Sequence, residues 1–148
     1  MKKRYSVQII SPDKLNLLRH LRFLKDYDGV KAQMKKHCSI IAPKFQATEE
    51  ILSRELSGKH IANWSNPKGG YFISVNVLPG CAKRVVGLCA DAGVKLTAAG
   101  STYPYGKDPN DSNIRVAPTF PSVDDLKKAV QVFCIAIQLA ASEKLLAK

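Results

Sequence analysis

The chain has 148 residues, enough for one domain with a substantial core. It is 45% hydrophobic and 24% charged, as ordinary globular proteins are. No apolar run approaches the roughly eighteen residues of a membrane span. The basic start Met1-Lys2-Lys3-Arg4 leads into polar sequence rather than the apolar block of a signal peptide, so no membrane partner and a cytoplasmic location are expected. The net charge of +11 favours anionic partners through its long-range field. The lysines that carry it are scattered along helical segments, as in Lys31, Lys35, Lys36 and Lys44. No helix-turn-helix, zinc-finger or RNP signature accompanies them, so solvated helix faces account for the charge better than nucleic acid does.

Ser11-Pro12-Asp13 reads as a helix start, with a capping hydroxyl, proline at the first helical position and an acid near the positive dipole end. Leu15, Leu17, Leu18, Leu21 and Leu24 give that helix an apolar stripe to about Lys25. Asp26-Tyr27-Asp28-Gly29 restarts the chain into a long amphipathic helix from about Asp28 to Leu56. Val30, Met34, Cys38, Ile41, Phe45, Ile51, Leu52 and Leu56 keep its three-and-four spacing. Pro43 interrupts the pattern, as a bend or as a missing hydrogen bond, and Ser57-Gly58 closes it. His60–Trp64 and Tyr71–Val77 then flank the turn Ser65–Gly70 as a β-hairpin. A helix over Cys81–Ala90 follows, with Val85, Val86, Leu88 and Cys89 facing inward and Gly93 ending it. Val94–Thr97 and Ile114–Ala117 read as further strands. Between them, Ala98–Ser112 is long for a plain turn and rich in Gly and Pro, as functional or mobile loops are. Ser122-x-x-Asp125 resembles a capping box for a final helix from Val123 to about Leu146, with Leu126, Val130, Phe133, Cys134, Ile137 and Leu139 on its packing side. The expected fold is α+β: a small, largely antiparallel sheet of three to four strands covered by helices mostly on one face.

Cys38, Cys81, Cys89 and Cys134 show no C-x-x-C or Cys/His ligand spacing, which argues against zinc and for buried free thiols. His20, His37 and His60 have no nucleophile or acid at telling spacing. No phosphate-binding, nucleophile-elbow or metalloprotease motif is present. Arg115 is the candidate that remains. A guanidinium held on a strand can grip a carboxylate with two parallel hydrogen bonds, with Asn113 beside it. Alternatively it pairs with Asp108 or Asp111. Gly69-Gly70 lets the backbone pass close to another group before Tyr71 and Phe72, whose rings line a pocket or fill the core. Tyr103 and Tyr105 cap a site or anchor their loop. Lys68 and Lys107 sit in polar turns, unlike a desolvated Schiff-base lysine.

The segments Trp64-x-x-Pro67-x-Gly69-Gly70-Tyr71-Phe72, Ala92–Thr97, Ala99–Pro109 and Ser112-Asn113-Ile114-Arg115-Val116-Ala117-Pro118 occur in an order that resembles the C-terminal part of fold-type-I aminotransferases dependent on pyridoxal phosphate. The nearest likeness is to the MocR-like or alanine–glyoxylate-type branch. It extends back through Ser11–Asn16 and Leu18–Phe23, with Ser11 where that family has glycine. The resemblance implies that Arg115 binds the substrate α-carboxylate, with Asn113, Tyr71 and Gly70 near the substrate. It implies residues 1–58 as linking helices facing the other domain or a dimer partner, and residues 59–148 as the small domain. It also implies that the coenzyme-holding lysine, the acid on the pyridine nitrogen, the stacking aromatic and most of the phosphate cup belong to a large domain upstream of this chain. No cofactor is therefore expected on the chain alone. In the complete enzyme the partners would be an amino acid and a 2-oxo acid, the missing large domain and a possible second copy. The alternatives are a non-catalytic basic module that binds nucleic acid, and a helper subunit for a separate cofactor domain.

Overall fold

The computed structural model describes residues 13–147. The chain divides into two compact units, one ending at Ile40 and the other beginning at Ile41. Helix α1 (Lys14–Leu24) opens the first. Its N-cap is Asp13, whose carboxylate accepts from the Asn16 N–H at 3.0 Å. Ser11 and Pro12, expected to start this helix, lie outside the described residues. None of its residues is buried: of the leucine stripe read from the sequence, Leu15, Leu17, Leu18 and Leu21 are exposed and Leu24 is half-buried. Helix α2 (Tyr27–Leu56) follows a tight turn in which Lys25 adopts φ 61°. Asp26 accepts there from the Gly29 N–H at 2.9 Å. Gly29 admits no side chain, because a Cβ would overlap the Leu24 carbonyl. Met34 and Cys38, expected on the inner stripe of α2, are exposed. The helix runs through Pro43 without a break. With no N–H at Pro43, the Ser39 carbonyl loses its partner four residues on.

The second unit holds the core. Strands β1 (Ala62–Trp64), β2 (Ile73–Val77) and β3 (Asn113–Val116) form an antiparallel sheet in the order β1-β2-β3. The hairpin expected from the sequence is present, with strands shorter than expected. Along β2, Ile73, Val75 and Val77 are buried while Ser74 and Asn76 are exposed, the period-two alternation of a half-covered sheet. Ile51, Leu52 and Leu56 of α2 pack in the core beneath it. So do Val85 and Cys89 of α3 (Ala82–Asp91) and Leu126, Val130, Phe133, Cys134 and Ile137 of α4 (Val123–Leu146). Ser122 caps α4: its hydroxyl accepts from the Asp125 N–H at 3.2 Å and donates to the Asp125 carboxylate at 2.7 Å.

Three expectations are corrected here. Val94–Thr97 forms no strand, and Val94, Leu96 and Thr97 are only half-buried. Leu139 is 44% exposed, because α4 is apolar nearly all round and its core-facing side passes through Ile137 and Ala140 instead. Cys38 is exposed, whereas Cys81, Cys89 and Cys134 are buried and all four are free. By length and composition α4 could cross a membrane, but its buried side is committed to the sheet.

Candidate functional site

The helices that build the core lie against one face of the sheet, which leaves the other for polar side chains. The register places Ser74 opposite Arg115, and Asn76 opposite both Asn63 and Asn113. Residues directly opposite share a face, so Asn63, Ser74, Asn76, Asn113 and Arg115 form one polar surface. Phe72 precedes Ser74 by one pleat and joins them. The Arg115 guanidinium carbon lies 4.6 Å from the centroid of the Phe72 ring.

Arg115 is half-buried, and its Nε is buried with no hydrogen-bond partner. The ion pairs among the described residues join Lys31 to Asp28, Arg54 to Glu55 and Arg84 to Glu143. Arg115 is in none of them, so the pairing with Asp108 or Asp111 that the sequence allowed is not formed. Asp108 faces the backbone, accepting from the N–H groups of Ser112 and Asn113 at 2.8 Å and of Asn110 at 2.9 Å. Hydrogen bonds led by those from Asn113 and Ser112 hold its carboxyl below the usual carboxylate range. Asp111 accepts from the Lys83 N–H at 3.2 Å.

Asn113 is buried, and its side chain is taken up inside the protein. Its amide donates to Ser74 Oγ at 2.9 Å and to Asn76 Oδ1 at 2.8 Å, while its oxygen accepts from Thr102 at 2.7 Å. It therefore ties the long loop to β2 and β3 beside Arg115. Tyr71 is 53% exposed. Gly70 has φ 92°, and open space surrounds the place a Cβ would take. Tyr103 borders on exposed, and Tyr105 stands almost wholly in solvent. Arg115 and Asn113 are thus neighbours on one strand face, with Tyr71 and Gly70 at the start of the adjoining strand. Phe72, Ser74, Asn76 and Thr102 belong to the same surface. The signal for them was the alternation 72, 74, 76, which becomes informative only once the register with β3 is fixed.

A cavity of about 130 Å³ lies between Arg115–Ala117, the Val94–Thr97 segment and the Leu126–Phe133 side of α4. It is mainly apolar. Chemically, the site offers a strand-borne cation over an aromatic face, with no acid partner among the described residues. A guanidinium so placed can accept a carboxylate in bidentate fashion.

The Aspartate amino-transferase family profile matches residues 1–148. The chain belongs to this family. It is 55% identical over 137 residues to a Mycolicibacterium smegmatis protein classed with the aminotransferases, covering 93% of this chain and 32% of that one. It is 46% identical over 134 residues to the aspartate aminotransferase of Corynebacterium glutamicum, covering 90% of this chain and 31% of that one. The crystal structure of an aspartate transaminase from Corynebacterium glutamicum superimposes with a TM-score of 0.89 at 43% identity, over 96% of this chain and 34% of that chain. The alpha-aminoadipate aminotransferase of Thermus thermophilus shares the fold, with a TM-score of 0.67 at 17% identity over 82% of this chain and 30% of that chain. The chain spans about a third of the length of the curated relatives it matches. The expected α+β fold, a small antiparallel sheet with helices, is that of these relatives' matching parts.

Proposed function

We propose that this chain is the C-terminal part of an aminotransferase that uses pyridoxal phosphate, and that Arg115 takes the α-carboxylate of the substrate. Residues 1–58 would link toward the coenzyme-bearing domain and a second subunit, and residues 59–148 would form the small domain. In the complete enzyme the coenzyme supplies the electron sink for moving an amino group between an amino acid and a 2-oxo acid. This chain's own residues do not fit the task of anchoring it. Such a lysine needs a desolvated setting to lower its pKa, and no lysine among the described residues is buried. Lys44 and Lys144 are half-buried, and both donate to backbone carbonyls, of Thr119 and of Pro79. Lys68 and Lys107 are exposed.

One observation carries the reading. Arg115 sits on the sheet face opposite the core helices with a buried, unpartnered Nε, in a chain whose relatives transfer amino groups. The charge is in place and no acid among the described residues neutralises it. The test is a chimera in which this chain replaces the matching third of the Corynebacterium glutamicum enzyme. The chimera is expected to transaminate, and Arg115→Ala to lower kcat/KM by roughly 30- to 1,000-fold, the loss expected when a buried charge-assisted pair is broken. Arg115→Lys keeps the charge but not the two-pronged geometry and should fall between. Equal kcat/KM for the chimera and its Arg115→Ala variant would sink the assignment.

A further inference from the structure

Arginines on protein surfaces are commonly oriented by acids. Arg115 is oriented by a ring instead. The guanidinium sits over Phe72, 4.6 Å from the ring centroid, and no carboxylate among the described residues shares it. The polar neighbours that could have competed are engaged elsewhere. Asn113 donates to Ser74 and Asn76, and Asp108 holds the backbone at Asn110, Ser112 and Asn113. Phe72 itself is 47% exposed, so core burial does not explain its place; the adjacent Ile73 fills the core.

We propose that Phe72 is a positioning residue for Arg115. Resting on the reading that Arg115 receives a carboxylate, the proposal adds how the clamp is kept ready. The negative face of an aromatic ring attracts the cation without consuming any of its N–H donors. An acid would hold the side chain equally well, but would occupy the edge that an incoming carboxylate must reach. The ring therefore restricts the guanidinium and leaves its hydrogen bonds unspent, which lowers the ordering cost when the anion arrives. The Gly69-Gly70 step before it supplies the turn that brings the ring onto the polar face, with Gly70 at φ 92°.

The test uses the isotope-labelled chain and the NMR signal of the Arg115 Nε–H, assigned by its loss in Arg115→Lys. Pyruvate, the simplest 2-oxo acid, is titrated against chloride at matched ionic strength. The expected result is a saturable shift in the unmodified chain and in Phe72→Tyr, which keeps the ring. In Phe72→Leu, which keeps the apolar bulk but loses the ring face, pyruvate should bind roughly two- to tenfold more weakly, with signals of core residues such as Val75 and Ile137 unmoved. Equal affinity in Phe72→Leu and the unmodified chain overturns the role of Phe72 and leaves the clamp standing. Equal weakening in Phe72→Leu and Phe72→Tyr also overturns it, since the ring is then not what matters. No response of Arg115 to pyruvate in the unmodified chain overturns the clamp reading itself, and this proposal with it.

Discussion

Asp108 shows how one carboxylate can organise the approach to a site without entering it. Three backbone N–H groups point at its two oxygens, and they belong to the residues that lead into β3. These bonds favour the charged form, so the folded-state pKa lies below the ordinary value, with Asn113 and Ser112 the largest causes. The sign follows from linkage. A carboxyl whose pKa is depressed by folding adds stability that is fully present above its unfolded value, near pH 4, and is lost as pH falls through the folded value. Asp108→Asn keeps one acceptor and removes the charge. Its urea midpoint is expected to lie below that of the unmodified chain at pH 6, with the gap beginning to shrink as pH falls below the unfolded value near 4 and closing as pH passes through the lowered folded-state value. A gap that does not shrink at all as pH falls below about 4 would show that the charge on Asp108 contributes nothing.

At the scale of elements, the loop Ala98–Ser112 depends on one close approach. Gly100 is buried at φ 82°, and a Cβ there would overlap the Gly106 carbonyl oxygen and lie 3.3 Å from the Asp108 nitrogen. Both obstacles are backbone atoms, which cannot swing aside. Gly100→Ala is expected to destabilise by about 2 kcal/mol or more, combining left-handed strain with the displaced loop, read as a lowered urea midpoint. It should also disturb the Thr102 to Asn113 contact that the loop delivers. An unchanged midpoint would mean that the loop adds nothing to stability. The loop's glycines and prolines were legible in the sequence because turn chemistry is local. The helices were legible for the same reason: Ser122 caps and three-and-four spacing repeats, although the first helix takes Asp13 as its cap, where the sequence suggested Ser11. What local pattern could not supply was partnership. Val-Lys-Leu-Thr at 94–97 alternates as a strand does, yet strand formation needs a hydrogen-bonded neighbour, and β3 does not take it as one. Leu139 belongs to a helix so uniformly apolar that spacing alone does not choose its inner side. The leucines of α1 show a stripe, and a stripe does not say what covers it. Arg115 was visible from its strand and its motif. Its stacking partner was not, because Phe72 reaches it only through the Ser74–Arg115 register.

For the molecule as a whole, the cysteines report how its two units are protected. Cys38 is exposed in the unit that ends at Ile40, while Cys81, Cys89 and Cys134 are buried in the unit that begins at Ile41. Burial pushes the Cys89 thiol up to about 11 and the Cys134 thiol up to about 12, and burial also raises Cys81, with Lys144 opposing. Alkylation requires the thiolate. At pH 8 about one Cys89 side chain in a thousand, and about one Cys134 in ten thousand, would be ionised even if reagent could reach it. Reagent cannot, because both are at most 1% exposed and lie in the same apolar core. Native chain treated with iodoacetamide at pH 8 is therefore expected to gain a single adduct, at Cys38, by mass spectrometry. The remaining three should be modified only through opening of the core, so their rates should climb with urea in step with the global unfolding transition. Cys89 of α3 and Cys134 of α4 should become reactive together, since both helices bury their inner sides against one sheet. Cys81 should precede them slightly, sitting at the N-cap of α3 with its sulfur against the Ala140 carbonyl rather than in the centre. Labelling of Cys134 in the native chain at a rate near that of Cys38 would mean that α4 does not close over β2 and β3. The face opposite Arg115 would then lack the support that holds the sheet, and the guanidinium on it, in place.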